Sequence, residues 1–315
     1  MSLQGNEASC YNEPMDYIGR VKKFRFKKSL GQNFLIDNSV IEKILSYVSP
    51  EDNVIEIGAG AGFVTEELVK KVESVKAIEI DKDVIPILKT NCLCANADAD
   101  FEIVEKSILD IQLKDLAPQG GIKIVANIPY CITSLILAHI LGEIDDLNNE
   151  NRNTIDEIIL MVQWEVAKRL VANENSPNKE YGMLTILTQF YSDVEIIQKV
   201  PKHSFYPSPK VDSALLRLKI RKEPKFEISP LLKRTVKACF ATRRKNIKNS
   251  LNAAGFLNVE KSLEEMDINP NLRGEKLSIE DFCKLAKVLA ANQNLSTKGV
   301  GDESCSGFED IVYEK

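Results

Sequence analysis

Between residues 53 and 172, short apolar runs alternate with stretches in which apolar residues recur at helical spacing. Strands separated by helices of ten or more residues are typical of a parallel sheet covered by helices on both faces. The predicted strands span residues 53–57, 75–80, 101–105, 122–126 and 157–163, and the predicted helices span residues 63–72, 83–97, 131–141 and 164–172. The pattern predicts an α/β domain.

Two more strand patterns, at residues 193–200 and 211–220, have no helix between them and should form an antiparallel pair that completes the sheet. After Pro224 only helical patterns follow, which indicates a small all-helical C-terminal domain. The four helices are predicted at residues 229–241, 243–254, 259–266 and 278–291. The predicted organisation is a flexible leader (1–25), the α/β domain (26–222), the helical domain (223–291) and a disordered tail (292–315).

Composition favours a globular, cytoplasmic protein, since 44% of the residues are hydrophobic and 28% are charged. No apolar stretch approaches the ~20 residues that a membrane-spanning helix needs, and the N-terminus lacks the apolar segment of a secretory signal. The seven cysteines have no disulfide-like spacing, so we expect buried thiols. Cys92 and Cys94 could form half of a metal site, but the chain has only two histidines to complete it, and no metal is expected.

The net charge of −5 conceals two basic segments, which we call the N-terminal basic segment (20–28) and the C-terminal basic segment (233–248). The first carries six positive charges in nine residues, and the second lies in a stretch, 228–259, that contains no acid. Solvated helix faces would explain each segment alone. Because Phe24, Phe26 and Phe240 are interleaved with the charges, the pair favours binding to a polyanion such as RNA.

A glycine loop, Gly58-x-Gly60-x-Gly62, directly follows the first predicted strand and opens a helix. Glycines there allow a tight turn and close approach of a ligand to the backbone, although many such junctions need glycine only for packing. Phe63 stands where a dinucleotide fingerprint has its third glycine, which counts against NAD. Glu79 ends the next strand, where an acid can bind both ribose hydroxyls, so the pattern suits S-adenosylmethionine. Alternatively, Glu79 and Asp81 cap the following helix.

The run Asn127-Ile128-Pro129-Tyr130 ends a strand that should neighbour the first one. The Asn127 side chain and the Ile128 carbonyl could both accept hydrogen bonds from one amino group, and Tyr130 could stack on a planar base. Such an arrangement would position an amine for direct methyl transfer without an acid–base pair. The alternative is an ordinary strand-ending turn with a packed tyrosine.

Several segments together resemble the ribosomal RNA small-subunit adenine dimethyltransferase family, over about residues 24–291. The matching motifs are KKSLGQNFLID (27–37), EIGAGAGFVT (56–65), NIPY (127–130), HSFYPSPKVDSALLRL (203–218), CFATRRKNIKNSL (239–251) and LRGEKLSIEDFCKLA (272–286). The resemblance implies a Rossmann-like methyltransferase sheet that binds S-adenosylmethionine, and a monomer acting on 16S rRNA within the small ribosomal subunit or its precursor.

The resemblance also assigns roles to residues. Asn33 and Leu35 would line the methionine and ribose side of the cofactor, Gly58 would approach it through the backbone together with Gly60, and Glu79 would hold the ribose. Asn127 and Ile128 would bind the target amino group, with a flipped-out adenine sandwiched between Tyr130 and Phe205. The cations assigned to RNA binding are Lys27, Lys28, Arg243, Arg244, Lys245 and Lys248.

Ser107 departs from the family, which usually has Asp there to contact the cofactor adenine. Either Ser107 makes a weaker contact or Asp110 replaces it. Two rival functions stay open: the related large-subunit adenine methyltransferases, which share NIPY, and a ribosome-assembly factor without catalysis. The C-terminal motifs favour the small-subunit branch, and intact NIPY and Glu79 oppose the loss of catalysis.

Overall fold

The structure is a computed structural model that describes residues 16–128, 132–177 and 180–294. Its helices and strands are, in chain order, α1 (Tyr17–Val21), β1 (Phe34–Leu35), α2 (Asn38–Leu45), β2 (Asn53–Ile57), α3 (Thr65–Lys71), β3 (Ser74–Ile78), α4 (Ile85–Ala95), β4 (Asp100–Val104), α5 (Leu113–Leu116), β5 (Ile122–Asn127), α6 (Thr133–Leu141), α7 (Glu150–Thr154), β6 (Ile155–Gln163), α8 (Trp164–Leu170), α9 (Met183–Tyr191), β7 (Ser192–Val200), β8 (Phe205–Tyr206), β9 (Ser213–Ile220), α10 (Leu232–Ala241), α11 (Ile247–Ala253), α12 (Val259–Glu265) and α13 (Ile279–Asn294).

Seven strands form one sheet in the order β4-β3-β2-β5-β6-β9-β7. The first five are parallel to one another, and β9 pairs antiparallel with both β6 and β7. This confirms the predicted α/β class, the parallel strands and the antiparallel pair that completes the sheet. The strand order reverses between β2 and β5, and ligands bind at the carboxyl ends of the strands at such a point.

Both faces of the sheet are covered, which explains why its strands read as near-continuous apolar runs. In β2, Ile55 and Ile57 belong to one buried cluster, whereas Val54 belongs to a second buried cluster on the opposite face. The first cluster continues into α10 and α13, with Val236 and Phe282 both fully buried. The helical C-terminal part therefore packs against the α/β part through a shared apolar core.

The leader prediction is wrong for residues 17–21, which form α1. Tyr17 and Val21 are buried in the second cluster, and Arg20 binds Glu66 of α3 at 2.6 Å. These contacts hold residues 17–21 against the α/β part. Residues 1–15 lie outside the described residues, as do residues 295–315 of the predicted tail, while α13 extends into that tail as far as residue 294.

Local sequence patterns did not predict α2, α9 or the two-stranded pairing of β1 with β8. The β1–β8 pair joins residues 34–35 to residues 205–206, so it depends on a contact that no local pattern reveals. No helix within the described ranges is long and apolar enough to cross a membrane.

Candidate functional site

A cavity of about 200 Å³ lies at the carboxyl ends of β2, β3 and β5. We call it the pocket. Five segments line it: residues 29–34, the glycine loop after β2, the end of β3, the segment after β4, and the segment that follows β5. The lining residues are Ser29, Leu30, Gly31, Gln32, Asn33, Phe34, Ile57, Gly58, Gly60, Ile78, Glu79, Ile80, Lys106, Ser107, Ile108, Asn127, Ile128, Ile132 and Ile136.

The glycine loop allows the backbone to form one side of the pocket. Gly58 has φ of 76°, and a Cβ atom there would lie 3.1 Å from the carbonyl oxygen of Asn127. Gly60 has φ of 55°, and its Cβ would lie 2.8 Å from the Phe34 ring. Side chains at these positions would be strained and would crowd the neighbouring walls. Gly62 is absent from the lining and instead approaches Leu88 of α4.

Glu79 presents a buried carboxyl group to the pocket, with 8% of the residue exposed. Its Oε2 accepts a hydrogen bond from Gly60 N at 2.7 Å, and its Oε1 accepts bonds from the N–H groups of Ile80 and Asp81. Burial raises the pKa of the Glu79 carboxyl above its usual range, although these N–H bonds partly oppose the shift. The carboxyl is thus held in place beside the glycine loop.

One interpretation of the sequence expected Asp81 to cap α4. The structure contradicts this, because α4 has no side-chain cap. The carboxylate of Asp81 instead accepts hydrogen bonds from Lys27 Nζ, from Gln32 Nε2 at 2.6 Å and from Asp83 N at 3.1 Å. Burial pushes the pKa of this carboxyl upward, but these bonds outweigh it and hold the pKa below its usual value. Asp81 therefore links the end of β3 to the segment that precedes β1.

Asn127 and Asn33 meet across the pocket. The Nδ2 of Asn127 donates to the carbonyl oxygen of Asn33 at 3.3 Å, and the Nδ2 of Asn33 donates to the carbonyl oxygen of Gly31 at 2.8 Å. Because the amide nitrogen of Asn127 is used in this way, its Oδ1 is the atom that can accept a hydrogen bond from a ligand. Ile128 also lines the pocket. Pro129 and Tyr130 lie outside the described residues.

Ser107 lines the far end of the pocket and accepts a hydrogen bond from Leu109 N at 3.2 Å. Asp110 is exposed and is not among the lining residues, so its placement does not support it as the replacement for the family's acid. The contact between Ser107 and a cofactor stays a prediction.

Leu35 and Phe205 are not where the resemblance implied. They pair with each other between β1 and β8, both are 2% exposed, and neither lines the pocket. Both side chains belong to the second apolar cluster. Their burial does not support a stacking face on Phe205 or a side-chain contact between Leu35 and the cofactor, and both roles stay predictions.

In the N-terminal basic segment, some cations bind internal carboxylates. Lys27 binds Asp81 and also Asp83, the latter at 2.6 Å, so its charge has partners within the protein, and its assignment to RNA stays a prediction. The rings of Phe24 and Phe26 pack against Phe34 rather than facing solvent as stacking platforms. Apart from Arg20, which is exposed but binds Glu66, the exposed cations of this segment are Lys22, Lys23, Arg25 and Lys28.

The C-terminal basic segment divides in the same way. Arg243 Nη2 donates to the carbonyl oxygen of Tyr181 at 2.6 Å, so Arg243 connects the helical part to the α/β part. Lys248 binds Glu260 of α12. Phe240 is 3% exposed and lies in the core, not at the surface. In this segment Arg244 and Lys245 are exposed, and their assignment to RNA stays a prediction, as does that of Lys28.

Twelve lining residues were not singled out by sequence analysis, among them the polar Gln32 and Lys106 and the exposed Ile80. Gln32 stands within the KKSLGQNFLID motif, which could have pointed to it.

The Cys92 and Cys94 pair is divided between a buried and an exposed thiol, so the expectation of burial is wrong for Cys94. Among the residues that the structure describes, no three His, Cys, Asp or Glu side chains are grouped to hold a metal ion.

Comparisons with known proteins show the family to which the chain is similar. The family model described as Ribosomal RNA adenine dimethylase matches residues 23–291. A protein of Clostridioides difficile (strain 630), named Ribosomal RNA small subunit methyltransferase A, is 42% identical over 302 residues, which cover 92% of this chain and 99% of the relative. A relative with the same name from Lactococcus lactis is 39% identical, with 86% and 92% covered.

Two solved structures share the fold. A dimethyladenosine transferase from Plasmodium falciparum has a TM-score of 0.68 and 25% identity, with 82% of this chain and 98% of that chain covered. The 23S rRNA methyltransferase ErmE has a TM-score of 0.61 and 28% identity, with 82% and 100% covered. The sheet is thus the Rossmann-like methyltransferase sheet that the sequence predicted, and the chain belongs to the ribosomal RNA adenine dimethylase family.

Proposed function

We propose that this protein uses S-adenosylmethionine to dimethylate the N6 amino groups of two adjacent adenosines near the 3′ end of 16S rRNA. The substrate is the small ribosomal subunit or its precursor, and the protein acts in the cytoplasm as a monomer with a role in ribosome biogenesis. The observation that carries the proposal is the meeting of Asn127, Glu79 and the glycine loop in one pocket at the point where the strand order reverses.

The pocket suits an adenosine-bearing cofactor without a pyrophosphate. Gly58 and Gly60 remove side chains from the side where a ligand must approach the backbone. The Glu79 carboxyl lies beside them and can accept hydrogen bonds from ribose hydroxyls. The apolar residues Ile80, Ile108 and Ile132 offer contacts to the adenine and methionine portions. When bound, S-adenosylmethionine supplies an electrophilic methyl group on a sulfonium.

Asn127 orients the amine that receives the methyl group. Its Oδ1 accepts one N6 hydrogen of the adenine, which turns the nitrogen lone pair toward the pocket. The Asn33 carbonyl holds the Asn127 amide in the required orientation through the 3.3 Å bond. With the cofactor bound there, this orientation would present the N6 nitrogen to the sulfonium methyl group, and the surplus N6 proton would pass to water.

This reaction depends on positioning and does not require a general base from the protein. His139 and His203 do not line the pocket, and a ring nitrogen of His139 lies 2.9 Å from the carbonyl oxygen of Ile111. A target base must leave its stack to reach Asn127, because its amino group is inaccessible within a helix.

A large-subunit substrate is the second candidate, supported by the 28% identity to ErmE. Relatives at about 40% identity carry the small-subunit name, which supports the first candidate more strongly. The decisive experiment incubates the protein with methyl-labelled S-adenosylmethionine and unmodified small or large subunits, and maps the label by mass spectrometry. Asn127→Ala serves as the inactive control.

We expect N6,N6-dimethyladenosine only in 16S rRNA. Label in 23S rRNA would overturn the substrate assignment. Saturable binding to small subunits without transfer of label, under conditions in which the cofactor binds, would instead identify a non-catalytic assembly factor.

A further inference from the structure

Asp81 lies one residue beyond the pocket-lining Glu79 and Ile80, and its side chain is wholly inaccessible. Its two oxygens receive donors from the same distant segment. Oδ1 binds Lys27 Nζ, and Oδ2 accepts from Gln32 Nε2 at 2.6 Å. An inaccessible carboxylate that gathers two side chains from a segment distant in sequence joins two parts of the chain.

The partners of Asp81 stand at the two ends of one side of the pocket. We call residues 27–33 the N-terminal wall; it includes the lining residues Ser29 to Asn33. Lys27 N also donates to Gln32 Oε1 at 2.8 Å, so the two ends of the loop are bonded to each other. Within the loop, Leu30 N donates to Lys27 O and Gly31 N to Lys28 O. The wall is a closed loop attached to Asp81 at both ends.

The same loop reaches the methyl-accepting side of the pocket. Asn33 follows Gln32 directly, and its carbonyl oxygen accepts the 3.3 Å bond from Asn127 Nδ2. Movement of the loop away from Asp81 would therefore remove lining atoms from the cofactor and a partner from Asn127. The lining at the end of β3 would remain in place, because Glu79 is bonded to Gly60 N and Asp81 N.

We propose that Asp81 is a positioning residue for the cofactor: through Lys27 and Gln32 it fixes the N-terminal wall against the wall formed by Glu79 and Ile80. The identity of the cofactor rests on the proposed function. Without this attachment, cofactor binding must also order the loop. The conformational entropy lost in ordering the loop weakens cofactor binding. Once the cofactor is bound, the loop is in place and methyl transfer proceeds with little change.

The test compares Asp81→Asn with Asp83→Asn. Both carboxylates bind Lys27, but the Asp83 side chain is 69% exposed and is bonded to neither Gln32 nor the pocket. We expect Asp81→Asn to raise the dissociation constant of S-adenosylmethionine, measured by calorimetry, and its KM by about tenfold, the effect typical of removing a hydrogen bond to a charged group. The kcat at saturating cofactor should stay within about threefold, as expected when only ground-state binding is weakened. Asp83→Asn should change the dissociation constant less than about twofold, as for an exposed ion pair.

Hydrogen exchange distinguishes the proposed positioning role of Asp81 from a purely structural role. The amides of Lys27, Leu30 and Gly31 should exchange faster in Asp81→Asn, and saturating S-adenosylmethionine should restore their protection. Lys27→Gln keeps a hydrogen-bond donor but removes the charge, so it should show the same pattern more weakly. This variant replaces Asp81→Asn in the test if Asp81→Asn folds poorly.

Wild-type affinity in both Asp81→Asn and Lys27→Gln, or an equal loss in Asp83→Asn, would overturn the proposal. A wild-type protein that binds the cofactor but methylates no ribosomal RNA would overturn the proposed function alone, since the binding comparison would still stand.

Discussion

In the pocket and directly beside it, polar side chains have fixed partners inside the protein. Glu79 accepts three backbone N–H groups, Asp81 accepts two side chains and one N–H group, and Asn127 donates to Asn33. The surface cations differ, because they are solvent-exposed and their electrostatic effects are screened by salt. We refer to Lys22, Lys23, Arg25, Lys28, Arg244 and Lys245 as the exposed cations.

The comparison shows that the sequence of a basic run does not reveal which of its cations bind groups inside the protein and which face solvent. Lys27 and Arg243 belong to the same basic runs as the exposed cations, yet both are occupied by internal contacts. We therefore expect large, individual effects from substitutions among the fixed groups and smaller, additive, salt-dependent effects from the exposed cations.

The largest effect is expected from Phe205→Ala, which removes a fully buried ring from the second apolar cluster. A buried Phe→Ala change costs about 3–5 kcal/mol of unfolding free energy, which urea denaturation would measure. Tyr206→Ala, at a partly exposed neighbour, should cost less. Unchanged stability with abolished turnover would instead support the base-stacking role that the sequence suggested.

Asn127→Ala removes the acceptor that orients the amine. By analogy with single oxyanion-hole donors, we expect a loss of about 2–4 kcal/mol of transition-state stabilisation, seen in kcat/KM on unmodified small subunits. Asn153→Ala, at an exposed asparagine, is the matched control and should behave as wild type. Near-wild-type turnover of Asn127→Ala would remove this residue from the reaction.

Glu56 carries a buried carboxyl group beneath the glycine loop, and its effect on stability should depend on pH. It is 2% exposed, and burial raises its pKa to about 8 even though the Thr65 hydroxyl donates to it at 2.5 Å. The folded protein therefore holds a proton that the unfolded chain releases above about pH 4.5. The stability that this proton provides is complete below that pH and is lost as the pH rises through 8.

Glu56→Gln should consequently unfold at a temperature that depends less on pH between about 5 and 8 than that of the wild type. The exposed Glu51→Gln is the control and should leave the slope unchanged. Parallel curves for wild type and Glu56→Gln would show that Glu56 is ionised in the folded state throughout this range.

Among the exposed cations, Arg244→Ala with Lys245→Ala should weaken binding to small-subunit RNA. The slope of log affinity against log salt should fall by about 2, because each cation that neutralises a phosphate accounts for about 1. Cofactor affinity should not change. Lys284→Ala with Lys287→Ala, at two exposed residues of α13, controls for net charge. An unaltered salt slope would leave Arg244 and Lys245 as a solvated face.

Arg243→Ala separates the two classes of cation directly. Because Arg243 binds the Tyr181 carbonyl, this change should lower thermal stability more than the double change at Arg244 and Lys245 does. Equal stabilities would show that the internal contact contributes little.

The smallest effect is expected from Ser107→Asp. A carboxylate accepts a stronger, charge-assisted bond from an adenine amino group than a hydroxyl does, so the cofactor should bind roughly 1 kcal/mol more tightly by calorimetry. Asp110→Ala, at an exposed position outside the pocket lining, should change nothing. If Ser107→Asp also has no effect, the adenine is held by backbone and apolar contacts.

The order of strands and helices from β2 to β6 was predictable because buried parallel strands read as apolar runs and their helices supply a second period. The glycine loop, Glu79 and Asn127 were predictable for a related reason, since each follows directly from a strand end. Parallel strands bring such ends to one edge, so position along the chain determined that Gly58, Glu79 and Asn127 would meet.

Only the tertiary structure decided which of two similar side chains is inside. Phe205 and Leu35 are buried because β1 pairs with β8, a segment far along the chain, and α1 is ordered because Arg20 reaches Glu66 on α3. Lys27 has a partner within the protein because the buried carboxylate of Asp81 lies beside it. Burial and pairing of this kind depend on segments distant in sequence, and local periodicity carries no information about which distant segment a side chain will meet.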